Sequence, residues 1–234
     1  MIKQVKSKQR VAEHGEVFTS EREVKAMCDL VSHECDRIDS RFLEPACGNG
    51  NFLAEILTRK LATVKRLYKR KPYDFDRYSV LAVSSIYGVD IMQDNTEECR
   101  KRLYCIWEKE YKTICKKQCN DDTRKSVKYI LQKNILCGNA LTLMCVDEQQ
   151  NDTDIPIVFP EWSLMLGTKM KRRDFRLDVL LKANEKPTNK QKSLFDADDD
   201  ISRYLSKNPV TGEYMAEPIR EYPPTIYRRI WENG

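Results

Sequence analysis

Three short segments of the chain combine an apolar run, a polar or acidic residue and a glycine. The first is Glu44-Pro45-Ala46-Cys47-Gly48-Asn49-Gly50, preceded by Phe42-Leu43 and followed by a helical apolar pattern from Phe52. Glycines at such a turn let the backbone approach a ligand closely. A dinucleotide fingerprint would need a further glycine at Leu53, and the Glu44 carboxylate would repel a pyrophosphate, so a cationic ligand fits better. The second is Tyr87-Gly88-Val89-Asp90-Ile91. In nucleoside-binding α/β folds an acidic side chain at a strand end accepts bonds from ribose hydroxyls. Ile91 can then pack on an adenine face. The third is Ile135-Leu136-Cys137-Gly138-Asn139-Ala140-Leu141, where Asn139 can bond an adenine edge.

These residues share one site only if the elements carrying them align. Ser20-Glu21-Arg22-Glu23 has the form of a capping box, opening a helix with Val24, Met27, Cys28, Val31 and Cys35 on one face. Arg41 to Ala46 reads as a strand. A helix follows, with Phe52, Leu53, Ile56, Leu57, Leu61 and Val64 inward. Tyr68 to Tyr78 reads as a surface insertion, and Val80–Val83 and Ile86–Ile91 as strand-like. A long helix starts near Gln93, with Cys99, Leu103, Trp107 and Tyr111 inward, and Val127–Leu131 adds a helical turn or two. Ile135–Cys137 and Ile155–Phe159 read as strands. This alternation predicts an α/β fold with an open, mostly parallel sheet, the three polar strand ends converging at one edge. The pattern weakens after Phe159, so the C-terminal half of the sheet is expected to be truncated or divergent. The expected organisation is a basic, mobile arm over 1–13, a main domain over 14–182, a mobile linker over 183–200, and a tail over 201–234 packed on the body.

In that order the motifs resemble the adenine-N6 DNA methyltransferases of restriction–modification systems, over roughly residues 14–142. Gly15-Glu16-Val17-Phe18-Thr19 is similar to their N-terminal G-E-x-F-T motif, and Glu44 to Gly50 to their [DE]-P-A-C-G-x-G motif. Gly88-Val89-Asp90-Ile91 and Gly138-Asn139-Ala140-Leu141 fall in the places of the next two. The resemblance implies a Rossmann-like methyltransferase sheet and S-adenosylmethionine as cofactor. Phe18 and Thr19 would flank its methionine part. The turn with Glu44, Pro45, Ala46, Gly48 and Gly50 would hold the amino-acid moiety, and Asp90 the ribose. Ile91 and Leu141 would cover the adenine faces, with Asn139 and Ala140 beside its edge. Asn139 replaces the family's usual Asp.

The family's catalytic tetrapeptide, [NDS]-P-P-[YFW], polarises the target amino group and stacks the flipped base. It is missing here. The nearest positional match is Phe159-Pro160-Glu161-Trp162, in which Pro160 and Trp162 fit and Phe159 has no acceptor. The other reading of these residues is a strand end with a packing tryptophan. The basic run with Lys169, Lys171, Arg172 and Arg173 could contact DNA phosphates, or it could be a solvated face. The resemblance implies adenine-containing duplex DNA as partner, with a separate specificity or restriction subunit. Rival readings are a non-catalytic DNA- or cofactor-binding subunit derived from a methylase, and a methyltransferase acting on RNA or protein.

Composition narrows the field. The chain has 234 residues, 41 Lys+Arg against 36 Asp+Glu, and a net charge of +5, which permits nucleic-acid binding without demanding it. No apolar run is long enough to span a bilayer, and the N-terminus has no secretory apolar region. Nine cysteines, none spaced C-x-x-C, with only two histidines, argue for reduced thiols in a cytoplasmic protein rather than a metal site.

Overall fold

The computed structural model describes residues 6–14, 16–184 and 199–233. Residues 1–5 of the N-terminal arm, Gly15, and 185–198 of the expected linker lie outside the described residues. Helix α1 (Lys8–His14) precedes α2 (Glu21–Leu30) and the short α3 (Ser32–Cys35). The capping box is complete: Ser20 caps the Glu23 N–H and the Glu23 side chain returns to the Ser20 backbone. Strand β1 (Phe42–Glu44) leads through the glycine turn into α4 (Asn51–Tyr68). Leu53, Leu57, Leu61 and Val64 recur at helical spacing and are buried.

Helix α5 (Pro72–Ser84) occupies both the expected surface insertion and the expected strand Val80–Val83. Pro72 starts it at a position where no N–H is needed. Phe75, Ser79, Val80 and Val83 are buried at three- and four-residue spacing, so helical periodicity prevails over β-branched propensity. Then come β2 (Ile86–Asp90), α6 (Gln93–Cys115), α7 (Asp121–Asn134) and β3 (Ile135–Asn139). Along α6, Cys99, Leu103, Trp107, Tyr111 and Cys115 form one buried stripe. Trp107 stacks on Tyr111 with centroids 4.5 Å apart and donates its indole N–H to Ser79 Oγ at 3.0 Å.

The main sheet has the order β1-β2-β3-β4-β5, with β4 (Met144–Val146) and β5 (Asp152–Pro156). Strands β1, β2 and β3 are parallel, with Glu44 opposite Gly88 and Asp90 opposite Cys137. β4 and β5 are antiparallel additions. The sheet is therefore mixed rather than mostly parallel. Residues 140–143 between β3 and β4 are too few for the crossover that a parallel neighbour requires.

The single strand expected at Ile155–Phe159 is two. The Ile157 N–H donates to Leu143 C=O, its C=O accepts from Leu177 N–H, and the chain changes sheets there. β6 (Val158–Leu164) and β7 (Lys169–Arg176) pair antiparallel along their length. After α8 (Leu177–Asn184) and α9 (Asp199–Ser202), β8 (Leu205–Lys207) pairs with β9 (Tyr214–Ala216), while β10 (Arg220–Glu221) and β11 (Thr225–Ile226) pair with β7. The tail closes on the body through buried Tyr227 and Ile230 and through an Arg228–Asp76 ion pair, Nη2 to Oδ2 at 2.5 Å.

Lys60 fixes the approach to the site. It is fully buried on α4, and its Nζ donates to the C=O groups of Arg37, Ile38 and Ser40 at 2.7, 3.2 and 2.6 Å. This clamps the segment feeding β1. Burial pulls its pKa down to about 8.

Candidate functional site

The turn after β1 depends on left-handed backbone. Gly48 has φ +51° and Gly50 φ +84°, a region where side chains are costly. A Cβ on Gly50 would stand 2.6 Å from Cys99 Sγ, and one on Gly48 would stand 3.0 Å from the Phe18 ring. The buried Phe18 ring therefore lies directly on the turn. The Thr19 C=O accepts from Asn51 Nδ2 at 3.0 Å, at the start of α4. Asp90 reaches back across the sheet, and its Oδ2 accepts from Gly48 N–H at 2.8 Å. Asp90 Oδ1 accepts from Met92 N–H at 2.9 Å and from Asn95 Nδ2 at 3.1 Å. Three segments far apart in sequence thus meet at one place: Phe18–Thr19, the Gly48 turn and Asp90.

Two residues that are not among the expected site residues join them. Asn95 is buried in the first turn of α6 and also donates to Glu16 Oε1 at 2.7 Å. Asn95 stands five residues past the strand-end carboxylate, and Glu16 lies inside the G-E-x-F-T segment. A polar residue in the first turn of the following helix is the sequence signal for the former. Glu16 Oε2 and Asn49 Oδ1 are buried with no hydrogen-bond partner among the described residues. The site thus keeps acceptor capacity for a donor-bearing ligand.

Burial raises the pKa of the half-buried Glu44, although the Ala46 N–H bonds its carboxylate. A bonding partner in Cys99, together with burial, pushes the Cys47 thiol far up, so it is no activated nucleophile. All nine cysteines are free thiols.

The arm expected to be mobile is docked on the rim over its described part. Lys6 pairs with Asp94 at 3.1 Å and Glu98 at 2.8 Å, and Arg10 with Asp94 at 2.6 Å and Glu16 at 2.8 Å. Arg10 and Lys6, helped by hydrogen bonds, hold the Asp94 pKa down to about 2 against the opposing effect of burial.

The third strand end is less complete. Asn139 Nδ2 donates to Asp152 Oδ1 and its Oδ1 accepts from Leu141 N–H, both at 3.0 Å. Both ends of the amide are engaged. Ile91 is half-buried. Leu141 is 94% exposed and covers nothing in this structure, while Ala140 packs against the core. Pro45 and Ala46 are exposed beside Glu44.

Pro160 and Trp162 are strand residues, since β6 runs on to Leu164. The Pro160 C=O accepts from Tyr87 Oη at 2.8 Å. Trp162 is buried, donates its N–H to Asn134 Oδ1 at 2.8 Å and meets Tyr129 edge-on. Within the basic run, Lys171 pairs with Glu221 at 2.8 Å, Arg172 is buried against Asp174 at 2.7 Å, and Arg173 pairs with Glu161. Lys169 is exposed. Strand alternation turns what reads as a charge run into a paired hairpin.

Among the described residues no helix is long and apolar enough to cross a membrane. No protein-family model matches the chain, and no curated protein or solved structure is significantly similar to it.

Proposed function

We propose that the chain binds S-adenosylmethionine at the carboxyl ends of β1 and β2, as a protein of the adenine-N6 DNA methyltransferase type. The observation that carries this reading is the convergence of three motif segments, with the Phe18 ring on Gly48 and the Gly48 N–H bonded to Asp90. The parallel β1-β2-β3 arrangement with helical connections is compatible with a Rossmann-like methyltransferase sheet. Phe18 and Thr19 would border the methionine part, and Glu44 with its glycine turn the amino-acid moiety. Asp90 and the free Glu16 oxygen would accept from the ribose hydroxyls. Ile91, Asn139, Ala140 and Leu141 would meet the adenine, with Leu141 folding inward on binding.

Held by these residues, the cofactor would supply an electrophilic methyl, which would pass to the amino nitrogen of a flipped adenine as the methyl–sulfur bond breaks, with a proton leaving the nitrogen. The protein mainly orients the two groups. One observation favours the second reading, a non-catalytic subunit that acts with a separate specificity or restriction partner on DNA. The Pro160 carbonyl and the Trp162 ring are committed to packing, and Phe159 has no acceptor. Loss of one polar transition-state stabiliser typically costs ~10²–10³ in rate. The isolated chain is therefore expected to bind cofactor and to methylate poorly. The test is purified protein on unmethylated genomic DNA with labelled cofactor, with N6-methyladenine read by mass spectrometry. Photo-crosslinked cofactor should map to peptides holding Phe18 and Gly48. Robust turnover by the chain alone would overturn the non-catalytic reading, and crosslinks elsewhere would overturn the site.

A further inference from the structure

β1 ends the main sheet on one side. The Phe42 N–H donates to Ser85 C=O at 3.0 Å, toward β2. By strand alternation the Leu43 N–H and C=O point the other way, and among the described residues no strand pairs with that edge. Leu43 is 42% exposed. Proteins usually blunt or cover such an edge, because its unpaired backbone groups are a template for another chain. Beside it lies a groove of about 430 Å³, walled by Leu43, Tyr87, Phe159, Phe175, Leu177 and Leu180. At its rim the Glu161 carboxylate stands between the guanidinium groups of Arg41 and Arg173, which leaves an excess of one positive charge in this group of three among the described residues. The more exposed guanidinium is that of Arg41, at the start of β1.

We propose that this edge takes an extended segment of another polypeptide, which adds to β1 as a strand, places alternate apolar side chains in the groove and sets an acidic residue against Arg41. Each part of the occupant follows from one feature. The Leu43 amide and carbonyl, which no strand pairs among the described residues, require an extended backbone. The groove lies on the face to which Leu43 and Tyr87 project, so every second side chain of an added strand enters it. The excess of guanidinium over carboxylate at the rim selects acid over base. This inference is independent of the cofactor reading, since it uses none of that site's residues.

The full chain is titrated with fluorescent synthetic peptides that alternate valine and threonine and carry glutamate at the amino or the carboxyl end. Twins carry lysine instead, or N-methyl groups on alternate amides. Fluorescence anisotropy and hydrogen exchange at the Leu43 amide are the readouts. One glutamate peptide is expected to bind and to slow Leu43 exchange. N-methylation should abolish binding, and Arg41→Glu should weaken it about tenfold while leaving the lysine twin unharmed. Leu43→Asp, at a part-exposed position, should abolish binding with the melting temperature kept. Unchanged Leu43 exchange at saturating peptide, or equal binding of the N-methylated twin, would overturn the proposal. So would protection of Leu43 that rises with protein concentration alone, since a second copy would then fill the edge.

Discussion

At the end of β2, Asp90 accepts three hydrogen bonds, while next to it Glu16 Oε2 and Asn49 Oδ1 are buried and unmatched among the described residues. On the β6–β7 hairpin, Arg172 is bidentate to Asp174, packs over Tyr222 at 4.3 Å and touches Tyr129, and the Trp162 N–H is spent on Asn134. An unmade buried hydrogen bond costs ~1–3 kcal/mol, so a fold tolerates one where a ligand or water will complete it. The hairpin carries no such debt at these residues. Motif-like residues in the two regions thus differ in their polar matching among the described residues: the strand-end site keeps two buried acceptors open, and the polar groups of Trp162 and Arg172 on the hairpin are engaged in packing.

The largest expected effect tests the scaffold side. Trp162→Ala should destabilise the fold by ~3–5 kcal/mol, through the lost ring and the orphaned Asn134 oxygen. Cofactor affinity of the folded fraction should stay unchanged. Urea titration beside calorimetry checks this, and a variant that keeps its stability but loses cofactor would put Trp162 at the ligand. On the site side, Gly50→Ala should cost ~1–3 kcal/mol from the left-handed backbone alone, with the Cys99 contact adding to it. Cofactor binding should fall with it, because the turn itself is displaced. A stable variant that binds normally would show that the turn does not hold the ligand.

The smallest effect concerns the arm on the rim. The folded Asp94 pKa, about 2, lies below its ordinary value of 3.8. Its stabilising contribution is therefore complete above about pH 4 and is lost as pH falls through 2. Because Asp94 is half-exposed, solvent screening limits that contribution to ~0–1 kcal/mol. Acid should release hydrogen-exchange protection over 8–14, and Asp94→Asn should do the same at neutral pH. Protection that persists in Asp94→Asn would show that the arm is held by other contacts.

Much of the site side is legible in the sequence, because its signals are local. The capping box at Ser20, the glycine turn after Glu44 and the start of α6 after Asp90 each lie within a few residues of chain. Val80–Val83 misleads because a short apolar run reads alike as strand or helix, and only burial of Phe75 and Ser79 on the same face decides it. The ion pairing of Lys169–Arg176 escapes the sequence for a different reason. Its partners Glu161 and Glu221 come from β6 and β10, and such pairing is invisible to a window along the chain. The docking of Arg10 onto Asp94 is likewise long-range.

Calorimetric titration of the purified chain with S-adenosylmethionine, run in parallel on Asp90→Ala, tests the central claim most directly. The wild type should bind one equivalent. The variant loses both the acceptor proposed for the ribose and the bond that holds the Gly48 N–H, so its affinity should fall by the ~1.5–3 kcal/mol typical of hydrogen bonds to a charged group. No heat of binding to the wild type, or equal affinity in the variant, would contradict the assignment of the strand-end site.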